Sequence, residues 1–337
     1  MVTQEMTTPD LYFDTIWGFQ RSAALKSALD LELFTVIDRG AATVADIAAA
    51  CGASERGIRI LCDYLATIDL LTKSGDRYSL PPMSATFLTK RSPAYLGTTA
   101  AFLYSPDLIR GFDGLTDTIR RGTVAAAENN DALAPDHPMW VGFARAMVPM
   151  MMPAAQEIAQ IVGARAGGPM RVLDIAAGHG IFGIVVAQQN PQAEVVAVDW
   201  APVLAVATEN ATAMGVGDRH RTLPGSAFTV DYGRGFDVAL VTNFLHHFDV
   251  PTNVGLLRKV AAALRPGGRV VILEFVPDEN RLTPPMAARF SLQMLAGTPS
   301  GDAYTLSELT KMLTDAGFTD VTAHPLHGPQ TVLVATR

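Results

Sequence analysis

The sequence predicts an α/β protein: a doubly wound, mostly parallel sheet with flanking helices, preceded by a smaller all-α domain of winged-helix type. Three observations point there. From Arg171 onward, short β-rich runs alternate with helical segments, the pattern of parallel strands joined by crossover helices. Before residue 91 the periodicity is helical and closes on a hairpin signal. The length of 337 residues exceeds the usual size of one domain, so two are expected. The expected boundaries are 1–95 for the winged-helix domain, 96–165 for connecting helices that contribute to a pocket, and 166–337 for a ligand-binding catalytic domain.

In the first domain, DTIWGFQRSAALKSALDLELFTVI repeats apolar residues at three- and four-residue spacing, as one amphipathic helix does. In TVADIAAACG, Thr43 with Asp46 three positions on predicts a capping box, and Gly52 a helix stop. SERGIRILCDYLATIDLL is the next periodic segment, and Gly75-Asp76 in LTKSGDRYSL separates two short strand-like runs, a hairpin signal. Helix, turn, helix and wing suggest a winged helix. Winged helices often bind DNA, but residues 1–95 carry nine Lys+Arg against eleven Asp+Glu. The helix from Ser54 offers only Arg56 and Arg59, offset by Glu55, Asp63 and Asp69, whereas a DNA reader needs a basic stripe. The apolar first helix fits a dimer interface better.

Composition narrows the classes further. Apolar residues make up 49% of the chain and charged residues 18%, which suits a well-buried protein and argues against disorder. The formal charge of −7 gives no general attraction to nucleic acid or anionic membranes. No apolar run is long enough to span a bilayer, and the start MVTQEMTTPDLYFD has acids where a signal peptide has bases. Cys51 and Cys62 lie in helix-like segments without metal-type partners. A reduced, cytoplasmic location is the simplest expectation.

The connecting region is expected to be broken at Pro106, Pro135, Pro138, Pro149 and Pro153. Its FARAMVPMMMPAAQEIAQIV segment has four methionines in six positions. They suit core packing, or a soft and adaptable wall for a small apolar ligand. Beyond it, RVLDIAA, EVVAVDW, FDVALVTNF and RVVILEFV read as strands, and TLSELTKMLTDAGF as a late helix. QTVLVATR is a closing strand of antiparallel character. Ligands in such sheets bind at the carboxyl ends of strands, where strand order reverses.

Two stretches stand at such ends. DIAAGHGIFG holds Gly178, Gly180 and Gly183 between a strand and a helix, and Asp199 follows 19 residues beyond Gly180 at the tip of the second strand. Glycines let the backbone approach a cofactor closely, and the carboxylate can grip a ribose, so any adenosine cofactor fits. Asp174, just before the glycines, would repel a pyrophosphate and welcome an amino-acid ammonium with a sulfonium. S-adenosylmethionine is therefore expected rather than NAD.

The second stretch, VTNFLHHFDV, places His246, His247 and Asp249 after an apolar strand. His246 reads as a general base, with an unperturbed pKa near 6.5, or as a rim residue. Glu274 ends the next strand and could bond its other ring nitrogen. A metal site from His246, His247 and Asp249 is disfavoured, because adjacent strand residues point to opposite faces and one ion would need a sharp turn there to meet both imidazoles. For His247 and Asp249, loop polarity and a cap for the helix after Pro251 are expected. His324 and His327 show no partner and receive no role.

The whole chain from about Phe13 resembles the S-adenosylmethionine-dependent small-molecule O-methyltransferases, the plant-type family with bacterial members in natural-product pathways. The resemblance rests on the winged-helix front, FARAM, VLDIAAGHG, LHHFD, RPGGRVVILE and MLAGTPSGDAYTLSELTKMLTDAGF. It implies a class I methyltransferase (Rossmann-like) domain and a homodimer built by the N-terminal domain, each partner helping to close the other's pocket. It implies His246 as base, oriented by Glu274. Phe143, Met147, Phe182 and Met294 would line the substrate pocket. Asp199 would hold the ribose, Trp200 would flank the adenine, and Ser226, Ala227 and Phe228 would lie along its edge. Four positions depart from the family pattern. Leu306 stands where many members have a second glutamate, and Ser226 replaces an adenine-contacting aspartate. Asn243 replaces a large aromatic, opening the pocket beside cofactor and substrate, and His247 replaces an aspartate.

The expected function is thus S-adenosylmethionine-dependent methylation of a phenolic or enolic hydroxyl on a small apolar metabolite, in secondary metabolism. A C- or N-methyltransferase is the nearest alternative, since its cofactor half would look the same. A winged-helix regulator and an NAD oxidoreductase are opposed by the charge count and by Asp174. No metal, nucleic acid or membrane partner is expected.

Overall fold

The computed structural model describes residues 8–125 and 137–337; of the five prolines named above, Pro135 lies outside them. The chain divides into two compact units, one ending at Ser105 and one beginning at Pro106.

In the first unit the expected single leading helix is three: Asp10–Ile16, Gly18–Asp30 and Leu33–Asp38. The interruptions have local causes. Trp17 leaves helical geometry ahead of Gly18, and Glu32 caps the third helix with φ +52, in the left-handed region. The helix Val44–Cys51 begins on the Thr43–Asp46 capping box and stops at Gly52, φ +61. The helix Glu55–Thr67 is capped by Ser54, whose side chain accepts the Gly57 N–H. Strands β1 (Thr72–Ser74) and β2 (Arg77–Ser79) form the wing. Leu33, Phe34, Ile47, Ile58, Cys62 and Leu65 make the core of this unit.

The second unit is built on seven strands: β3 (Met170–Ile175), β4 (Ala193–Asp199), β5 (His220–Pro224), β6 (Phe236–Thr242), β7 (Leu264–Glu274), β8 (Thr319–Pro325) and β9 (Thr331–Thr336). Their order is β5-β4-β3-β6-β7-β9-β8, parallel through β7, with β9 antiparallel to both neighbours. The chain moves outward on one side through β3, β4 and β5, then returns to place β6 against β3. The reversal opens a crevice at the carboxyl ends of β3 and β6, where this topology binds ligands. The central strands are buried on both faces, as their apolar runs require.

The prolines of the connecting region start helices more than they break the chain. Pro106 and Pro138 are the first residues of the helices Pro106–Asp113 and Pro138–Ala146, and Pro149 is the second of Val148–Ile161. A first-turn proline has no N–H bond to lose. The break expected at Pro153 does not occur, because that residue lies inside the last of these helices. Only one intrahelical N–H is forfeited there, and Met151, Ala154, Ala155 and Ile158 bury the face that holds the helix in place.

Candidate active site

Both crevice-lining strands end in a backbone conformation that non-glycine residues seldom adopt. Ala176, just past β3, has φ +52 and Asn243, just past β6, has φ +53. For Ala176 this costs roughly 1–2 kcal/mol, so the sheet enforces that turn, whereas asparagine adopts it more readily.

After Ala176 the loop turns through Gly178 (φ +58) and Gly180 (φ +73) into the helix Ile181–Gln189. Gly183 faces β3 and β4: a Cβ there would meet Val195 at 2.7 Å and the Asp174 carboxylate at 2.9 Å. Its absence lets the Gly183 N–H donate to Asp174 Oδ2 at 3.1 Å. Asp174 Oδ1 is buried without a partner. Burial pushes this carboxyl up to about 8, opposed by the Gly183 bond and reinforced by nearby Asp199. An orphaned acceptor beside a glycine loop is what a cationic ligand group would complete.

Asp199, at the tip of β4, accepts the Gly178 N–H at 2.8 Å and the Trp200 N–H at 2.7 Å. Burial raises its carboxyl despite these bonds. Trp200 precedes the helix Ala201–Ala213 and packs with Trp140 against Val203 and Val206. Farther along the crevice, Ser226 Oγ accepts the Phe228 N–H at 3.2 Å, Ala227 is buried, and Phe228 sits edge-on to Phe248. Around the β3–β4 ends, Asp199 thus holds Gly178, Asp174 holds Gly183, and the Gly180 N–H donates to the Ala177 carbonyl.

At the β6 end, residues 244–248 make a tight turn around one 3-10 segment, Leu245–His247. Glu274, the last residue of β7, sits beneath it. Its Oε1 accepts the N–H groups of Phe244, Leu245 and His246 at 3.1, 2.9 and 3.3 Å, and its Oε2 lies 2.6 Å from His246 Nδ1. Asn243 bonds Gln330 and reaches Met151 Sδ. Asp249 caps the helix Val250–Ala263 by accepting the Thr252 N–H, as expected. Among the described residues, no three His, Cys, Asp or Glu side chains are grouped to hold a metal ion.

Aromatic contacts join the two ends of the crevice. Phe143 stacks on His179 of the glycine loop, which also faces Phe182. Trp140 contacts Phe143 and His247; His247 contacts His246; Phe290 stands edge-on to His246 and stacks on Phe275. Of the other residues expected to line a pocket, Met147 is buried at the junction of the helices Pro138–Ala146 and Val148–Ile161, and Met294 in the helix Pro285–Gly297. His324 and His327, for which no partner was expected, have them: His324 Nε2 lies 3.3 Å from Thr322 Oγ1 and His327 Nδ1 lies 3.1 Å from Glu157. Thr322 lies two residues away on the same strand, whereas Glu157 comes from the distant helix Val148–Ile161.

Several residues that sequence reasoning missed hold the histidine turn from its other side. Asn253 Nδ2 donates to the carbonyls of Leu245 (2.9 Å) and Phe248 (3.2 Å). The Asp302 N–H donates to the His246 carbonyl at 3.0 Å, and the Tyr304 hydroxyl donates to that of Phe248. Gly301 packs so closely that a Cβ there would fall 2.2 Å from the His246 carbonyl oxygen. Arg281 ties this 301–304 segment down through Asp302, the Ala303 carbonyl and Glu308. Leu306, beyond it, is exposed at the start of the helix Leu306–Asp315. The one available signal was Asn253 itself, an amide at a helix position that packs inward.

Residues 13–90 match the O-methyltransferase dimerisation domain, and residues 157–319 match the O-methyltransferase domain. A solved structure from Nostoc punctiforme PCC 73102, assigned as an O-methyltransferase, is 48% identical and superposes with a TM-score of 0.93 over 99% of this chain and 100% of that one. The chain belongs to the O-methyltransferase family. Among characterised relatives, the tetracenomycin polyketide synthesis 8-O-methyl transferase TcmO of Streptomyces glaucescens is 26% identical over 95% of this chain and 94% of its own length. Human N-acetylserotonin methyltransferase, solved in complex with SAM, shares the fold at 22% identity and a TM-score of 0.86, covering 100% of this chain and 99% of its own.

This O-methyltransferase is an S-adenosylmethionine-dependent enzyme, and its residues fit that cofactor. The unpartnered Asp174 Oδ1 is suited to an amino-acid ammonium, and the Gly178–Gly180 turn leaves room for a close approach. The choice between a methyl donor and a dinucleotide, open from the glycine spacing alone, is thereby made. Among the described residues, no helix is long and apolar enough to cross a membrane.

Proposed function

We propose that this O-methyltransferase methylates a phenolic hydroxyl of a small, largely apolar metabolite in secondary metabolism, with His246 as the general base. The observation that carries this is the Glu274–His246 arrangement. A carboxylate cannot donate, so His246 Nδ1 carries the proton and its Nε2 presents a lone pair. Bound at the glycine loop, S-adenosylmethionine supplies an electrophilic methyl group. Asp174 would take its ammonium, Gly178 and Gly180 would give it room, and Asp199 would hold the ribose. Trp200, Ser226, Ala227, Phe228 and Asn243 would border the rest of its length. His246 Nε2 would take the proton that the substrate hydroxyl gives up as its oxygen attacks, and Glu274 would stabilise the resulting imidazolium. Phe143, Met147, Phe182, Met294 and Asn243 would enclose the substrate's apolar body and keep it aligned, which supplies much of the rate. The relatives that methylate polyketide, naphthoate and mitomycin skeletons support a planar aromatic substrate.

The dimerisation-domain match supports a homodimer. Leu11, Tyr12, Ile16 and Phe19 on the first two helices, with Trp17 between them, are all more than half exposed in the single chain, Leu11 by 80%, an apolar face that a second copy would cover. Two free cysteines, Cys51 and Cys62, support a reducing, cytoplasmic setting.

Calorimetric titration with S-adenosylhomocysteine and NADH, on wild type and Asp199→Ala, tests the cofactor assignment. Micromolar binding of the former alone, strongly weakened in the variant, is expected. Methylation of a panel of phenols by wild type and His246→Ala then tests the base. Undiminished turnover in the variant would remove His246 from that role.

A further inference from the structure

His247 has no part in the chemistry described so far, yet its geometry repeats that of His246. The two ring centroids lie 4.2 Å apart, with planes 37° from each other. His247 Nδ1 faces the Phe244 carbonyl at 3.2 Å, as His246 Nδ1 faces Glu274. Neither oxygen can donate, so both imidazoles hold their proton on Nδ1 and both Nε2 atoms are acceptors. Unpartnered ring nitrogens of His179 and His220 are sealed from solvent; the Nε2 atoms of His246 and His247 are not among the sealed ones. Two lone pairs therefore stand on neighbouring rings, that of His247 on a half-buried side chain.

The rings cannot share the same task. Burial holds His247 neutral, and the adjacent His246 further opposes its protonation. Once His246 takes a proton, a second charge 4.2 Å away is disfavoured. His247 is thus a standing neutral acceptor beside the base. Its other neighbours, Trp140, Phe244 and Phe248, are aromatic rings.

We propose that His247 Nε2 accepts a hydrogen bond from a second hydroxyl of the substrate, next to the hydroxyl that yields its proton to His246, so that the site selects arenes bearing neighbouring hydroxyls. This rests on the reading of His246 as the base. A diol satisfies both lone pairs. A monohydroxy ring would strip water from His247 Nε2 and give nothing back, and sites built to bond a hydroxyl reject analogues lacking it far more strongly than apolar pockets reject a missing methylene.

The test uses the full-length protein saturated with S-adenosylhomocysteine, titrated under reducing conditions with catechol and phenol, and with 2,3-dihydroxynaphthalene and 2-naphthol. In at least one pair the diol is expected to bind about tenfold or more tightly than its monohydroxy partner. His247→Phe and His247→Leu should bring that ratio close to one while leaving S-adenosylhomocysteine affinity unchanged. No preference in wild type, no binding of any of the four probes, or a preference that survives both substitutions overturns the proposal. Methyl transfer to the bound diol by wild type and His246→Ala is followed in parallel by product mass. If diol preference depends on His247 while turnover does not depend on His246, the base assignment falls and the acceptor role of His247 stands.

Discussion

Glu274 holds His246 by both its side chain and its backbone: one carboxylate oxygen lies 2.6 Å from Nδ1, and the other accepts the His246 N–H at 3.3 Å. The same oxygen takes the two preceding N–H groups. A single residue from β7 thus fixes the tautomer, the ring position and the turn that carries the ring. Glu274→Gln should uncouple these roles. The amide can still accept N–H bonds, but by donating from its own nitrogen to Nδ1 it would move the imidazole proton to Nε2. The expected result is a fall in kcat of about 100-fold, the lower end of what general-base catalysis supplies, with the affinity for S-adenosylhomocysteine nearly unchanged. Steady-state kinetics with a calorimetric control checks this.

The orphaned oxygen of Asp174 predicts a pH dependence of cofactor binding. In the free protein burial raises this carboxyl to about 8, so it holds a proton at neutral pH that an incoming ammonium must displace. S-adenosylhomocysteine affinity should therefore rise with pH, by as much as about tenfold per unit, and level off near 8. The stability of the free protein should move oppositely. The native state binds the extra proton, so stability is present below the unfolded pKa of about 4 and is lost as pH rises towards 8. Asp174→Asn should flatten both profiles and weaken binding. Calorimetry and thermal unfolding between pH 6 and 9 read the two effects.

Asn253 and Gly301 buttress the histidine turn without facing the crevice chemistry. Asn253→Ala removes one of two donors from the buried Leu245 carbonyl, the Phe248 N–H remaining, and one from the Phe248 carbonyl, at a cost of about 1 kcal/mol per bond. Gly301→Ala drives a methyl group into the His246 carbonyl, and overpacking of this kind costs about as much. Both variants should show a lowered unfolding midpoint in urea together with a lowered kcat. Glu209→Ala, which breaks an exposed pair with Arg145, should change stability far less.

The exposed apolar residues of the first two helices predict association. A triple change Leu11→Ser, Ile16→Ser, Phe19→Ser should convert a dimer into a monomer in sedimentation equilibrium. A monomeric wild type would remove the dimer assignment.

Much of the architecture was legible because it is encoded locally. The Thr43–Asp46 box and the Asp249 cap are settled within three residues, a range in which backbone N–H groups and side chains meet whatever the rest of the chain does. The central strands were legible because burial on both faces demands continuous apolar runs. Glycine spacing and Asp199 were legible because a close-approach loop tolerates so few side chains.

Other features depend on which segments the fold brings side by side. The edge strands β5 and β8 left no hydrophobic period, since His220–Pro224 and Thr319–Pro325 face solvent along most of their length. Leading apolar periodicity ran through Trp17 and Glu32 and concealed two backbone interruptions. The grip on the histidine turn comes from Asn253, Glu274, Gly301, Asp302 and Tyr304, separated from it by up to 56 residues. By itself the sequence determined the parallel sheet, the cofactor loop and the presence of two histidines at a strand end. Only the tertiary structure decided that both histidines keep their proton on Nδ1, because strand order brings the Glu274 carboxylate to His246, and the turn that strand end makes aims the Phe244 carbonyl, three residues back, at His247.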